Sequence, residues 1–255
     1  MRIASWNVNS LNVRLPHLEQ WLRERAPDVA ALQETKLEDS RFPDDALAAL
    51  GYHSVFAGQK TYNGVALLSR MPATDVQIGI PGFEDEQRRV IAATFGDLRV
   101  VNLYVVNGHS VGSEKYAYKL RWLDAVHGWL ASERLRWPNL VVLGDFNIAP
   151  ADRDTHDPAI WNDDSILTST AERAALRRLE GLGLADSYRW FSDEAGQFSW
   201  WDYRAAAFRR NLGLRIDLVL ASEGLRPRAT GAAIDREPRT WERPSDHAPV
   251  WLDID

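Results

Sequence analysis

NLVVLGDFNIAP, residues 139–150, is the stretch whose reading decides the fold. Leu140, Val141, Val142 and Leu143 run without a polar break into Gly144, and Pro150 ends the passage. A half-exposed strand alternates polar and apolar residues, so a continuous aliphatic run closed by Gly reads as a strand buried on both faces. Strand side chains alternate with period two, which predicts that Asp145 and Asn147 leave the strand end on the same side. A plain strand-to-turn junction reads equally well, because Gly, Asp and Asn all favour turns. Only partners from elsewhere in the chain make the pair a site.

Working outward, Ile3 to Val8 and Asp28 to Gln33 read as strands, separated by a helix whose Leu15, Leu18, Trp21 and Leu22 recur at helical spacing. Ala26-Pro27 closes that helix. Pro43 to Leu50 reads as a short helix. Tyr52 to Ala57 and Val65 to Ser69 form a strand pair, and Val90 to Phe95 and Leu98 to Val105 flank a Gly96-Asp97 hairpin signal. Ser113 to Arg136 is an amphipathic helix with Tyr116, Leu120, Leu123, His127 and Leu130 near one face. Asp152 to Asp164 reads as an acidic, solvated loop, and His156 within it takes no assigned role. Glu172 to Leu179 is a helix, Arg215 to Ala221 and Pro249 to Ile254 are strands, and Glu237 to Asp246 is a loop. With no repeat and no linker, residues 1–255 read as one domain. Hairpins coexist with strand–helix–strand passages, so the expected class is α/β (α+β): a four-layer sandwich of two packed, mixed sheets with helices on both outer faces.

Composition narrows the function classes. The chain has no cysteine, which excludes disulfides, thiolate zinc sites and cysteine nucleophiles. Eleven tryptophans offer core anchors and a stacking surface. The net charge of −6 argues against broad, charge-driven nucleic-acid binding, yet carboxylates gathered at a metal count against that total while basic loops act locally. No apolar run reaches the ~20 residues that span a bilayer, and the opening MRIASWNVNS lacks a signal pattern. A cytoplasmic location is the expectation.

Polar groups stand at five strand ends: Asn7, Glu34, the Asp145/Asn147 pair, Asp217, and Asp246-His247. If these ends converge, four carboxylates, two amides and one histidine share a site. Carboxylates that close repel one another unless a cation lies among them. An oxygen-rich set favours a hard ion, Mg²⁺ with Mn²⁺ as a substitute, and Mg²⁺ completes its shell with water and substrate phosphate. That combination points to phosphoryl chemistry. Each residue also has an ordinary reading: Glu34 as a solvated loop acid, Asp217 and His247 as a structural pair. Asp217 inside an apolar strand needs a partner, because an unpaired buried carboxylate is expensive, and His247 is the candidate.

SWNVNSLNVR, LQETK, YNGVALLSR, NLYVVNG, GDFNIAP, FSWWDYR, LRIDLVLAS and PSDHAPV, in this order from Arg2 to Val250, resemble the exonuclease III family of DNA repair enzymes, part of the endonuclease/exonuclease/phosphatase superfamily. GDFN or SDH alone is a modest signal; the ordered set is specific, and FSWWDYR with LRIDLVLAS points to the abasic-endonuclease branch. The resemblance implies a Mg²⁺-dependent nuclease, acting as a monomer on double-stranded DNA at abasic sites and 3′ ends, that leaves a 3′-hydroxyl and a 5′-phosphate. It implies Glu34 as principal metal ligand, Asn7 beside it, and Asp246 assisting at that or a second metal. It implies Asp145 as the residue that orients or deprotonates water, Asn147 holding phosphate or water, and His247, supported by Asp217, binding the scissile phosphate. Tyr104 matches the family's active-site tyrosine and Asn107 a phosphate contact. Trp200 matches the aromatic wall of the abasic-sugar pocket, with Leu214 and Ile216 as further walls. Lys60, Tyr62 and Arg204 look like backbone contacts. One departure is Val106, where the family often has Pro.

Two other readings compete. A phosphoesterase acting on lipid head groups or inositol phosphates shares the superfamily, but FSWWDYR and the lack of a membrane-facing amphipathic element count against it. A catalytically silent DNA-end-binding protein has no physical reason to keep clustered, mutually repelling carboxylates.

Overall fold

Two six-stranded mixed sheets form the centre of the molecule. A computed structural model of the chain describes residues 1–255. The first sheet is built from β1 (Arg2–Asn7), β2 (Val29–Gln33), β3 (His53–Ala57), β4 (Val65–Ser69), β13 (Ala229–Ile234) and β14 (Val250–Ile254), in the order β13-β14-β1-β2-β4-β3. The second holds β5 (Thr74–Ile78), β6 (Val90–Phe95), β7 (Leu98–Tyr104), β8 (Leu140–Asp145), β9 (Leu184–Asp186) and β12 (Asp217–Ser222), in the order β5-β6-β7-β8-β12-β9. A short ribbon, β10 (Trp200–Trp201) with β11 (Gly213–Leu214), stands beside them. Helices α1 (Leu11–Arg25) and α2 (Asp44–Ala48) cover the first sheet, α3 (Glu114–Arg136) and α4 (Thr170–Glu180) the second. The four-layer sandwich expected from the sequence is the fold. No helix is long and apolar enough to cross a membrane.

Each sheet contains one parallel pair, β1–β2 and β7–β8, and each pair is joined by the long helix that parallel connection requires. The other neighbours run antiparallel, so β12 and β14 start where β8 and β1 end. Six strand ends, those of β1, β2, β7, β8, β12 and β14, therefore release polar residues at one rim of the sandwich. The faces between the sheets are apolar, led by Ile3, Val29, Ile91, Val100, Val141 and Leu252; each such buried side chain contributes about 1.5–3 kcal/mol. Near the rim this layer carries amides. Gln33 Nε2 donates to Asn102 Oδ1 at 2.8 Å, and Asn102 Nδ2 donates to the carbonyls of Leu32 and Ala66, both at 2.9 Å. This network is satisfied, and its directional bonds fix how the two sheets face each other at the rim.

The central strand behaves as read: all six residues of β8 are buried. Gly144 is required there, since its φ is +144° and a Cβ would lie 1.9 Å from the Leu103 carbonyl oxygen. Three readings are corrected. β5, β9 and β13 escaped the sequence analysis, the first and last because they are partly exposed edge strands with weak alternation. The inner face of α3 is formed by Tyr116, Lys119, Trp122, Leu123, Val126, Trp129, Leu130 and Glu133, while Leu120 and His127 are only half-buried. Charge misled that reading, for Lys119 and Glu133 face inward with buried partners. The Asp152–Asp164 segment is not solvated throughout: Asp154 is 1% exposed and accepts from Arg215 and Arg189.

Candidate active site

At the rim, Asn7 closes β1, Tyr104 closes β7, Asp145 closes β8 and Asp217 opens β12. Register places Asp145 directly across from both Tyr104 and Asp217. Glu34 follows β2 by one residue in a left-handed conformation, φ +52°, which costs a side-chain-bearing residue about 1–2 kcal/mol. Backbone bonds from Ser10 and Lys36, to the carbonyls of Glu34 and Asn63, hold this turn. His247 precedes β14, tied by a bridge to Trp200 and by its backbone N–H to Ser245 Oγ at 3.2 Å.

Asn147 reaches the site by a route other than the alternation expected from the sequence. The strand ends at Asp145, Phe146 turns into the core, and Asn147 adopts φ +49°. Its N–H donates to Asp145 Oδ1 at 2.9 Å, the closure of an Asx turn. Asn and Asp tolerate this geometry, so the turn preference and the polar pair are one device.

The groups interlock. Asn7 Nδ2 donates to Glu34 Oε1 and to Asp145 Oδ2, each at 2.9 Å. Tyr104 Oη donates to Glu34 Oε1 at 2.9 Å, and Lys36 pairs with Glu34 Oε2 at 2.8 Å. His247 Nδ1 lies 2.9 Å from Asp217 Oδ2, leaving Nε2 at 3.8 Å from Asp145 Oδ2. Asp217 is steadied by Ser199 Oγ, which donates at 2.7 Å. Asn107 Nδ2 donates to Asn147 Oδ1 at 3.0 Å.

Burial and mutual charge shift these groups. Burial, with Asp217 and Glu34 adding, pushes the Asp145 carboxyl up to about 7 against the pull of His247 and Asn7. Burial works against a charged His247, but Asp217 and Asp145 outweigh it and raise the imidazole to about 10. Burial likewise raises Tyr104, and the charges of Glu34 and Asp145 lift it further, well above the usual phenol value. Burial disfavours the Glu34 carboxylate too, yet Lys36 and Asn7 prevail and its value falls. At neutral pH the set holds an imidazolium, a protonated phenol and an excess of acids.

One ligand atom each from Glu34, Asp145 and His247 lies within 4.8 Å of the others, a spacing that suits a single ion. The two carboxylates, Glu34 and Asp145, with the Asn7 amide between them, fit a hard divalent cation, while the charged His247 ring, held by Asp217, stands beside them. Asp246 is outside that group: its oxygens accept from Asn9 Nδ2 at 2.8 Å and Trp200 Nε1 at 3.0 Å. Trp200 is half-buried over an apolar floor of Leu214, Ile216, Ala149 and Leu167, whereas Trp201 is wholly inside. Tyr62 is 68% exposed and, with Glu34, Tyr104 and Asn107, lines an adjoining cavity of about 490 Å³. Lys60 and Arg204 lie outside these contacts, exposed, with Arg204 paired to Asp202. The sequence reading missed Lys36, Ser199 and Arg89, whose guanidinium carbon sits 4.6 Å from the centre of the Tyr104 ring. LQETK carried the one legible signal, a lysine two residues beyond the key acid; the other two are joined only in space.

Comparison with known proteins gives a consistent picture. A family model described as the endonuclease/exonuclease/phosphatase family matches residues 4–247. The exodeoxyribonuclease III of Haemophilus influenzae is 37% identical over 266 residues, covering the whole of both chains. Among solved structures, a 3′–5′ exonuclease from Neisseria meningitidis superposes over the full length of both chains with TM-score 0.98 and 48% identity. An AP endonuclease from Archaeoglobus fulgidus does so with TM-score 0.96 and 36% identity, covering all of this chain and 99% of its own.

Proposed function

This chain belongs to the endonuclease/exonuclease/phosphatase family, and from that membership we propose a Mg²⁺-dependent DNA repair nuclease, one domain over residues 1–255 acting as a cytoplasmic monomer. It is a phosphodiester hydrolase of the exodeoxyribonuclease III type, with abasic endonuclease and 3′–5′ exonuclease activity. Its substrate is double-stranded DNA with abasic sites or 3′ ends, and its products carry a 3′-hydroxyl and a 5′-phosphate. The observation that carries this reading is the meeting of Glu34, Asp145 and His247 within 4.8 Å at the rim where both sheets end.

Glu34 and Asn7 would hold the ion, and Asp246, fixed by Asn9 and Trp200 just outside that group, would assist at that or a second metal position. The ion, when bound, supplies Lewis-acid stabilisation of phosphate charge and a template for in-line attack. Asp145 is poised near neutrality to take a proton from water as its oxygen bonds to phosphorus and the bond to the 3′ oxygen breaks. Tyr104 carries its proton at neutral pH and donates to the phosphate or to the departing 3′ oxygen, which becomes a hydroxyl by taking a proton from Tyr104 or from water. His247 holds its Nδ1 proton against Asp217 and presents a charged ring to the developing negative charge. Asn147 and Asn107, linked side chain to side chain, offer amide donors to phosphate oxygens. Trp200, Leu214 and Ile216 wall an apolar recess that suits a sugar without its base, whose extrusion from the helix costs less than that of a paired nucleotide. Lys60, Tyr62 and Arg204 would meet the DNA backbone from the periphery.

The test incubates purified protein with an internally abasic duplex and an intact blunt duplex, with and without EDTA. Incision of the first and shortening of the second, both abolished by EDTA and restored by Mg²⁺, are the expected results. No cleavage of either duplex with Mg²⁺ present rejects the reading.

A further inference from the structure

The reaction so described leaves one buried charge without a task. Lys119, on the inner face of α3, has no exposed surface and lies behind the site. Its ammonium donates to the Asn147 carbonyl at 2.7 Å, to the Asn107 carbonyl at 3.2 Å, and to Glu172 Oε1. Those contacts use all three donors of the group. Glu172 in turn accepts from Leu167 N at 3.0 Å, Ser169 N at 3.1 Å and Ser169 Oγ at 2.6 Å. One cation thus fastens the turn after β7, the turn after β8 and the start of α4.

A purely structural role is the plainer account of a buried ion pair, but such pairs stabilise little over apolar replacements. The acceptors chosen here say more. Two are the backbone carbonyls of the residues whose carboxamides bond to each other, Asn107 and Asn147. Asn147 holds a left-handed backbone that its own Nδ2 steadies by donating to the Val105 carbonyl at 3.1 Å. The Lys119 grip sets where that turn lies. Gly108, in a left-handed backbone with φ +101°, lets the Lys119 stem pass close: a Cβ there would stand 3.3 Å from Lys119 Cδ.

We propose that Lys119 is a positioning residue for phosphodiester hydrolysis, acting through the backbones of Asn107 and Asn147 to aim their side-chain amides at the scissile phosphate. The proposal rests on the function given above. Misplacement of a reacting or binding group by about 1 Å costs on the order of 100-fold in rate, which sets the expected effect.

Parent protein, Lys119→Met, Lys119→Met/Glu172→Gln, Asn147→Ala and the triple combination are compared on the abasic duplex with Mg²⁺. Methionine keeps the stem, and glutamine removes the acid left unpaired while retaining the acceptor that caps α4. Near-ultraviolet circular dichroism reports folding. The expected result is a kcat about 100-fold lower in the folded Lys119 variants with KM within about threefold. Adding Asn147→Ala to them should leave kcat no lower than Asn147→Ala alone, because both act on one group. A folded double variant with parental kcat, a loss that multiplies with that of Asn147→Ala, or a double variant unable to fold overturns the proposal. A parent without cleavage would instead remove the functional reading, so the two failures are distinguishable.

Discussion

Two clusters of buried charge lie in this molecule, and their balance differs. Behind the acidic loop, Asp154 and Asp186 face Arg215 and Arg189: Arg215 Nε reaches Asp154 and its second nitrogen reaches Asp186, both at 2.6 Å, while Arg189 meets Asp154 at 2.5 Å. Two acids and two bases close on themselves, and Tyr188 stacks under both guanidiniums. At the rim, Glu34, Asp145, Asp217 and Asp246 face only Lys36 and His247 among the bonded cations. Burial is paid back within the first cluster. In the second, surplus negative charge persists, and burial, with Asp217 and Glu34 adding, raises Asp145. A self-neutralised network is scaffold; an acid-rich one presents an unmet demand for positive charge, which a divalent ion and a phosphate-directed reaction satisfy.

Breaking the rim should produce the largest effects. Asp145→Ala and Glu34→Ala are expected to lower abasic-duplex cleavage by at least about 1,000-fold while circular dichroism stays parental. Mg²⁺ at 100 times its Kd should stabilise the parent by about 2.7 kcal/mol, a shift in melting temperature that EDTA reverses and Glu34→Ala abolishes. His247→Ala should cost on the order of 100-fold in kcat with little change in DNA affinity measured by fluorescence anisotropy; a pure affinity loss would contradict its place beside the reacting phosphate.

The closed cluster should respond in stability. Asp154→Asn is expected to destabilise the fold by about 3 kcal/mol in urea denaturation, since it strips a buried guanidinium of one partner. Burial alone would raise the Asp154 carboxyl, but Arg215 and Arg189 hold it below the ordinary carboxylate range. A lowered folded value means stability present above the unfolded value and lost as pH falls through the folded one. Asp154→Asn should therefore flatten the acid limb of the stability curve, while the Mg²⁺-dependent shift is retained. Smallest of all, Trp200→Ala should reduce abasic incision about tenfold more than digestion from a 3′ end, because only a baseless sugar enters the apolar recess.

The site was legible in the sequence where chemistry and strand pattern coincide. Asp145 ends an apolar run, Glu34 follows one, Asp217 opens one, and each is costly enough there to demand a reason. Asp217 found its partner in His247 as the sequence required. The Asn147 geometry was misread because a period-two rule was carried past the end of the strand, into a turn that the Asp145 side chain closes. Lys119 stayed hidden for a different reason: a lysine on an amphipathic helix reads as solvent-facing until acceptors from distant segments are seen around it.

From residues alone came the four-layer sandwich, the run of strands and the kinds of group that meet at its rim, since local pattern and side-chain chemistry suffice for those. Tertiary structure decided which charges cancel and which remain. Asp154 sits in an acidic turn that reads as solvated and Asp145 closes an apolar strand, yet the fold buries both. Only long-range packing brings Arg215 and Arg189 to one and further acids to the other, and Coulombic balance at a few ångströms depends on that arrangement.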